Sequence, residues 1–382
     1  MKFTLPPGMA EATRLTREGK LQDAMAMLRR GFQAEAPDLA RPQAPPSPRP
    51  AYRTAPGAAP TGRIFDVEPE AAEPVGRAGF MEQLKRSLHR ASPPAPPPMP
   101  EGARFLDAHF SGPGGSRTYK LYIPSTLPAG PVPLIVMLHG CTQSPDDFAA
   151  GTRMNALAEA DPCLVAYPAQ AASANAQRCW NWFNPEDQQR DRGEPAIIAG
   201  ITRQILRDHA VDPRRVHVAG LSAGGAQAAI MGATYPELFA AIGVHSGLAC
   251  GAARDMPSAF AAMRGGAAGL ASAGRTVPTI VFHADRDPTV HPVNGDQVIA
   301  QARSAIPLRA ETLRGQVPGG HAYTRTRHAD AAGRAVLEQW VVHGGGHAWS
   351  GGDLSGTYTD PKGPDASAEM RRFFAEHPLP AA

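Results

Sequence analysis

Ser222 lies in VHVAGLSAGGAQ (216–227), bracketed by Gly220 and Gly224 and preceded by a β-branched run. A serine hydroxyl is a poor nucleophile until a base removes its proton. A reactive serine therefore implies a histidine and, behind it, a carboxylate. Composition alone would produce Gly-x-Ser-x-Gly in roughly one such chain in six, so the surroundings must decide. Here they favour a nucleophile. VHVAGLS reads as a strand and AGGAQAAIMGATYP as a helix, which puts Ser222 on a tight strand-to-helix turn. Gly220 and Gly224 lack the β-carbons that would collide in such a turn, so the hydroxyl stands clear of the chain.

The base is expected late in the chain. His347, in HGGGHAWSGG after the strand-like VLEQWVV, sits on a loop that can present an imidazole. His343 is its rival. A zinc-type pair at i, i+4 would need a helix, which Gly344, Gly345 and Gly346 oppose, so no metal is expected. For the carboxylate, TIVFHADRDPTV offers Asp285 and Asp287, both just past a buried strand, and their positions leave the choice open. Acyl transfer also needs backbone N–H groups aimed at the developing oxyanion. Ala223 supplies one at the start of its helix. Cys141, after Gly140 in PLIVMLHGC, is expected to supply the other, with His139 packing the loop rather than acting on substrate.

Positioning these groups is the task of alternating strands and helices. PLIVMLHG, CLVAYP, VHVAGLS, AAIGVHSG and TIVFHAD are apolar runs suited to strands buried on both faces. Between and after them, DDFAAGTRMNALAEA, EPAIIAGITRQILRDHA, VNGDQVIAQARSA and ASAEMRRFFAEH read as helices, while HFSGPGGSRTYKLYIP reads as a hairpin turning at Gly-Gly. The alternation predicts an α/β fold, a doubly wound and mostly parallel sheet flanked by helices. Reactive groups then collect at the carboxyl ends of its strands.

The 382 residues, 42% of them apolar, can fill one large domain. A net charge of +3 points to no nucleic-acid partner, and no apolar run approaches the roughly 18 residues of a membrane span. MKFTLPPGMAEATRL lacks an apolar h-region, so no secretory signal is expected. Of four cysteines, Cys163 is expected in the core; Cys250 is left unassigned. Sixteen of the 40 prolines fall between Pro37 and Pro100, which predicts a Pro/Ala-rich, mostly disordered linker over 36–103, with MEQLKRSLHR (81–90) as a short helix inside it. Ahead of it, Leu21, Ala24, Met25 and Leu28 recur at helical spacing, predicting an amphipathic helical segment over 1–35 that docks on its own domain, a second copy, a partner or a granule. The catalytic domain is expected over 104–382.

LHGCTQ, CWNWFNPEDQQRDRGEP, VHVAGLSAGGAQAAIMGATYPELFAAIGVHSG, VFHADRDPTVHPVNGDQV and GGGHAWSGG, in that order, resemble the esterase family of poly(3-hydroxybutyrate) depolymerases. The resemblance spans about 104–378 and implies an α/β-hydrolase fold with a serine triad and no cofactor. It places the nucleophile on Ser222, the base on His347 and the acid on Asp287, with Ala284 standing where the family usually has glycine. It also implies a Cys141–Cys179 disulfide and a polyester or oligoester substrate. Trp180, Trp182 and Trp349 fall in its site blocks and are the candidate substrate contacts, whereas Trp340 is expected in the core. Feruloyl or acetyl-xylan esterases share this kind of domain, and a non-catalytic binding protein on the same fold is the alternative of another class. The family is usually extracellular, whereas the expected lack of a signal leaves the cytoplasm as the alternative. Members that degrade polymer carry a binding module after the catalytic domain. With the chain ending just past its last helix, oligomers, amorphous polymer or small esters are the expected substrates.

Overall fold

The computed structural model describes residues 99–270, 277–303 and 307–381. The helical segment expected over 1–35 and the linker as far as residue 98 lie outside the described residues. Ten strands form one sheet: β1 (Arg104–Gly112), β2 (Gly115–Ile123), β3 (Val132–Leu138), β4 (Leu164–Pro168), β5 (Val211–Leu221), β6 (Ala241–His245), β7 (Thr279–Ala284), β8 (Arg309–Gln316), β9 (Ala322–Ala329) and β10 (Ala335–Val342). Their order is β1-β2-β4-β3-β5-β6-β7-β10-β9-β8. From β4 to β10 every neighbouring pair is parallel, and the outer strands on both sides are antiparallel.

Side-chain alternation explains why the central strands are apolar throughout. Along β3, Leu134, Val136 and Leu138 face one core, while Ile135 and Met137 face the other. Ile197, Ile198, Ile201 and Ile205 of α3 (Gly193–Asp208) cover the first face. The second is covered by Phe148 of α1 (Pro145–Thr152), Met154 and Ala158 of α2 (Met154–Ala160), and Met370, Phe373 and Phe374 of α7 (Ala366–Ala375). A strand wetted on neither face needs no polar alternation. The chain crosses from β4 on one side of β3 to β5 on the other, so the carboxyl ends of β3 and β5 flank the point where strand order reverses. Sheets of this kind bind ligands there.

The elements expected within the described residues appear, with differences at their margins, while the short helix expected over 81–90 lies outside those residues. DDFAAGTRMNALAEA is two helices, because Arg153 takes a left-handed conformation (φ 55°) between them. The hairpin closes on Gly112 and Gly115, with Pro113 and Gly114 at its tip. α5 (Met256–Gly265) was not expected, although Asp255 caps it through the Ser258 amide and Pro257 opens it. β8 and β9 were also missed. Their sequences, RAETLRGQ and AYTRTRHA, are polar because β8 is an exposed edge strand. No helix among the described residues is long and apolar enough to cross a membrane.

Candidate active site

Ser222 follows the last residue of β5 and precedes α4 (Ala223–Thr234), with φ 57° and ψ −117°. Such a conformation is strained by about 1–3 kcal/mol in a residue with a β-carbon and persists only where its surroundings impose it. Here they do. Ser222 N donates to His245 O (2.9 Å), and Ser222 O accepts from Ala226 N (2.9 Å). A β-carbon on Gly220 would strike the backbone of Gly224, and one on Gly224 would strike the Leu138 carbonyl at the end of β3. The two glycines therefore let the turn carrying Ser222 press against the neighbouring strand.

Past β7, Asp287 is buried and fully engaged. Its Oδ1 accepts from Thr289 N (2.8 Å) and Val290 N (2.9 Å), and its Oδ2 accepts from His347 Nδ1 (2.7 Å). His283 Nε2 donates to Val290 O (2.8 Å) and lies 3.4 Å from the same Oδ2. Burial alone would raise the Asp287 pKa, but the His283 and His347 contacts outweigh it and hold the carboxyl well below the usual range. The proton on Nδ1 leaves His347 Nε2 with a lone pair to accept another.

The rival residues form a pair of their own. Asp285 Oδ2 meets His343 Nδ1 (2.8 Å), Asp285 Oδ1 accepts from Gly344 N (2.8 Å), and His343 Nε2 meets Thr324 Oγ1 (2.8 Å). His343 is thus engaged with Asp285 and Thr324 at its two ring nitrogens, whereas among the described residues one nitrogen of His347 has no hydrogen-bond partner.

His245, which the sequence reading passed over, ties the pieces together. Its carbonyl holds Ser222 N, while its Nε2 accepts from Ser350 N (2.9 Å), three residues beyond His347. Burial, with the charges of His283 and His347 adding to it, lowers its pKa to about 3 and keeps the ring neutral. A lone histidine ending the apolar strand AAIGVHSG was the available signal. Ser222 Oγ and His347 Nε2 are not hydrogen-bonded to one another in this structure.

After β3, Cys141 is joined to Cys179 by a disulfide, with Cα atoms 4.2 Å apart. Thr142 N donates to Gln177 O (2.7 Å) and Gln143 N to Gly140 O (3.3 Å); among the described residues Cys141 N has no such partner. His139 is buried, accepts from Gln170 N at Nε2 (3.1 Å) and donates from Nδ1 to Gly140 O (2.7 Å). Burial lowers its pKa to about 4, as suits a neutral ring that shapes the loop. Beneath lies Glu194, whose carboxyl is pushed up to about 7 by burial, with Asp187 adding to it.

The tryptophans require a correction. Trp180, Trp182 and Trp349 are 0%, 5% and 1% exposed, so none offers a face to substrate here. Trp180 Nε1 donates to His139 O (3.1 Å), and Trp349 stacks on His245 while its Nε1 donates to Ser367 Oγ (3.0 Å). These rings are the packing beneath the loops; large aromatic area is most stabilising when buried. Trp340 is in the core, stacked on Phe282, and Cys163 is buried and free; Cys250 is also free.

Residues 117–306 match the family described as esterase PHB depolymerase. Poly(3-hydroxyalkanoate) depolymerase C of Paucimonas lemoignei is 31% identical over 266 residues, 66% of this chain and 61% of that protein. Feruloyl esterase B of Thermothelomyces thermophilus is 32% identical over 140 residues, 36% of this chain and 47% of that protein. The chain thus spans less than two thirds of the length of either relative. Among solved structures, an acetyl xylan esterase from Aspergillus awamori shares the fold, with a TM-score of 0.54 and 18% identity over 72% of this chain and 99% of that one. Residues 117–306 thus belong to the PHB depolymerase family of esterases, on a chain built on the α/β-hydrolase fold.

Proposed function

We propose that the chain is a serine esterase that cleaves ester bonds of short-chain polyhydroxyalkanoate, poly(3-hydroxybutyrate) or its oligomers, through an acyl-serine. The observation that carries this is the Asp287–His347 contact of 2.7 Å, which leaves Nε2 without a hydrogen-bond partner among the described residues, in a chain whose Ser222 sits on a strained turn. As substrate enters, Ser222 Oγ and His347 Nε2 close on one another; such contacts are often long in an empty site. Nε2 takes the hydroxyl proton as Oγ bonds to the ester carbon, and Asp287 steadies the imidazolium. The Ala223 and Cys141 amides hold the oxyanion. His347 returns the proton to the departing alkoxide, which leaves as an alcohol. Water then attacks the acyl-serine with His347 again as base, releasing the acid and restoring Ser222.

The 32% identity to a feruloyl esterase favours a second reading, an esterase of feruloyl or acetyl groups on plant-wall polysaccharide. Product analysis separates the two. The account expects hydroxybutyrate monomer and dimer from amorphous poly(3-hydroxybutyrate), with slower release of ferulate or acetate from xylan substrates. Rapid ferulate or acetate release with intact polyester would reverse the assignment. No turnover on any of these esters, with no label from a serine-reactive phosphonate, would favour a non-catalytic binding protein. The docking role expected for residues 1–35 is a separate proposal: removing 1–100 should leave soluble-ester turnover intact while weakening attachment to polyester particles.

A further inference from the structure

The loop carrying Cys141 has no secondary structure to hold it, yet an oxyanion donor misplaced by an ångström loses much of its effect. Four links bind residues 139–142 to the segment 170–180: Gln170 N to His139 Nε2, Gln177 O to Thr142 N, Trp180 Nε1 to His139 O, and the Cys141–Cys179 disulfide. That segment is irregular too, so its own anchor sets the aim of the Cys141 amide.

The anchor is a buried polar network that the mechanism does not use. Gln170 Nε2 donates to Cys179 O (2.9 Å) and to Glu194 Oε1, while Gln170 Oε1 accepts from Arg117 Nε (3.1 Å) and Ala171 N (3.1 Å). Glu194, in the first turn of α3, accepts from Asn181 N (2.7 Å) and Asn181 Nδ2 (2.9 Å). Gln170 and Glu194 are 4% and 2% exposed. The amide of Gln170 has its donors and acceptors all engaged, and a fully satisfied buried network is rigid.

We propose that Gln170 and Glu194 are positioning residues for oxyanion stabilisation, fixing the Cys179–Asn181 segment so that it holds the Cys141 amide on target. The proposal rests on the reading of Cys141 N as an oxyanion donor to an ester bound at Ser222. Both act on the transition state and neither touches substrate, so their loss lowers kcat and leaves KM nearly unchanged.

The test uses the full chain, with active sites counted by end-point labelling with a fluorophosphonate. Gln170→Ala and Glu194→Gln are expected to lower kcat on p-nitrophenyl butyrate about 10- to 100-fold with KM within about three-fold. A butyl boronic acid, which forms a tetrahedral anion on the serine, should weaken in proportion to kcat/KM. Glu194→Asp, which keeps the acceptor charge, should recover part of the loss. Should a core variant fail to fold, Arg117→Met, which removes only the outermost donor, carries the test with the same proportionality. Unchanged kcat, or a lowered kcat with boronate affinity unchanged, overturns the proposal and leaves the esterase reading standing. Turnover that survives Ser222→Ala removes the serine mechanism itself, and this proposal with it.

Discussion

Two aspartates two residues apart have opposite fates. Asp287 is buried against His347 and His283; Asp285 is partly exposed and holds His343 and the Gly344 amide. Asp287→Asn should therefore lower kcat/KM by about 10⁴-fold, since an amide cannot fix the imidazole tautomer. Asp285→Asn should change it less than about three-fold in the same ester assay. Asp287 has a depressed folded pKa, so the stability it contributes is complete above the unfolded value near pH 4 and is lost only on strong acidification. Glu194 has the opposite sign. Its folded pKa of about 7 lies above the unfolded value of about 4.3, so its contribution is complete below the latter and is lost as pH rises through about 7. The stability of wild type minus that of Glu194→Gln should thus fall by about 3 kcal/mol between pH 4 and pH 8 in urea denaturation. A flat or rising difference would contradict the sign.

At the scale of elements, the turn after β5 and the loop after β3 are built by contact between backbones. Gly224→Ala would drive a β-carbon into the Leu138 carbonyl, and the expected result is a loss of several kcal/mol or insoluble protein, read from soluble yield and Tm. The Cys141–Cys179 disulfide closes a loop with a separation of 38 residues, so Cys141→Ser with Cys179→Ser should reduce stability by about 2–4 kcal/mol in denaturant titration. Ser222, Ala223 and the strand-to-helix turn were legible in the sequence because glycine spacing directly encodes a close backbone approach. Position along the chain did not choose between Asp285 and Asp287, since both follow the same strand. The family resemblance pointed to Asp287, and the course of the 343–347 loop sets that carboxylate against His347. His245, Gln170 and Glu194 escaped for a related reason: their roles are bonds to loops distant in the chain, and no local period announces them. Trp180, Trp182 and Trp349 misled because nearness to a site in sequence says nothing about which way a ring faces.

In the molecule as a whole, the central strands were readable from unbroken apolar runs, since a parallel sheet covered on both faces admits little else. The polar edge hairpin β8–β9 was not, because solvent-exposed strands lack that signature. The parallel sheet brings the carboxyl ends of β3, β5 and β7 to one edge, and Cys141, Ser222 and Asp287 follow those ends. The claim on which the rest depends is that Ser222 becomes acylated. Rapid-quench mass spectrometry of the enzyme mixed with p-nitrophenyl butyrate tests it most directly. The account predicts a transient butyryl group that peptide mapping assigns to Ser222 and that Ser222→Ala abolishes along with turnover. A butyryl group on another residue, or ester cleavage undiminished in Ser222→Ala, would contradict it.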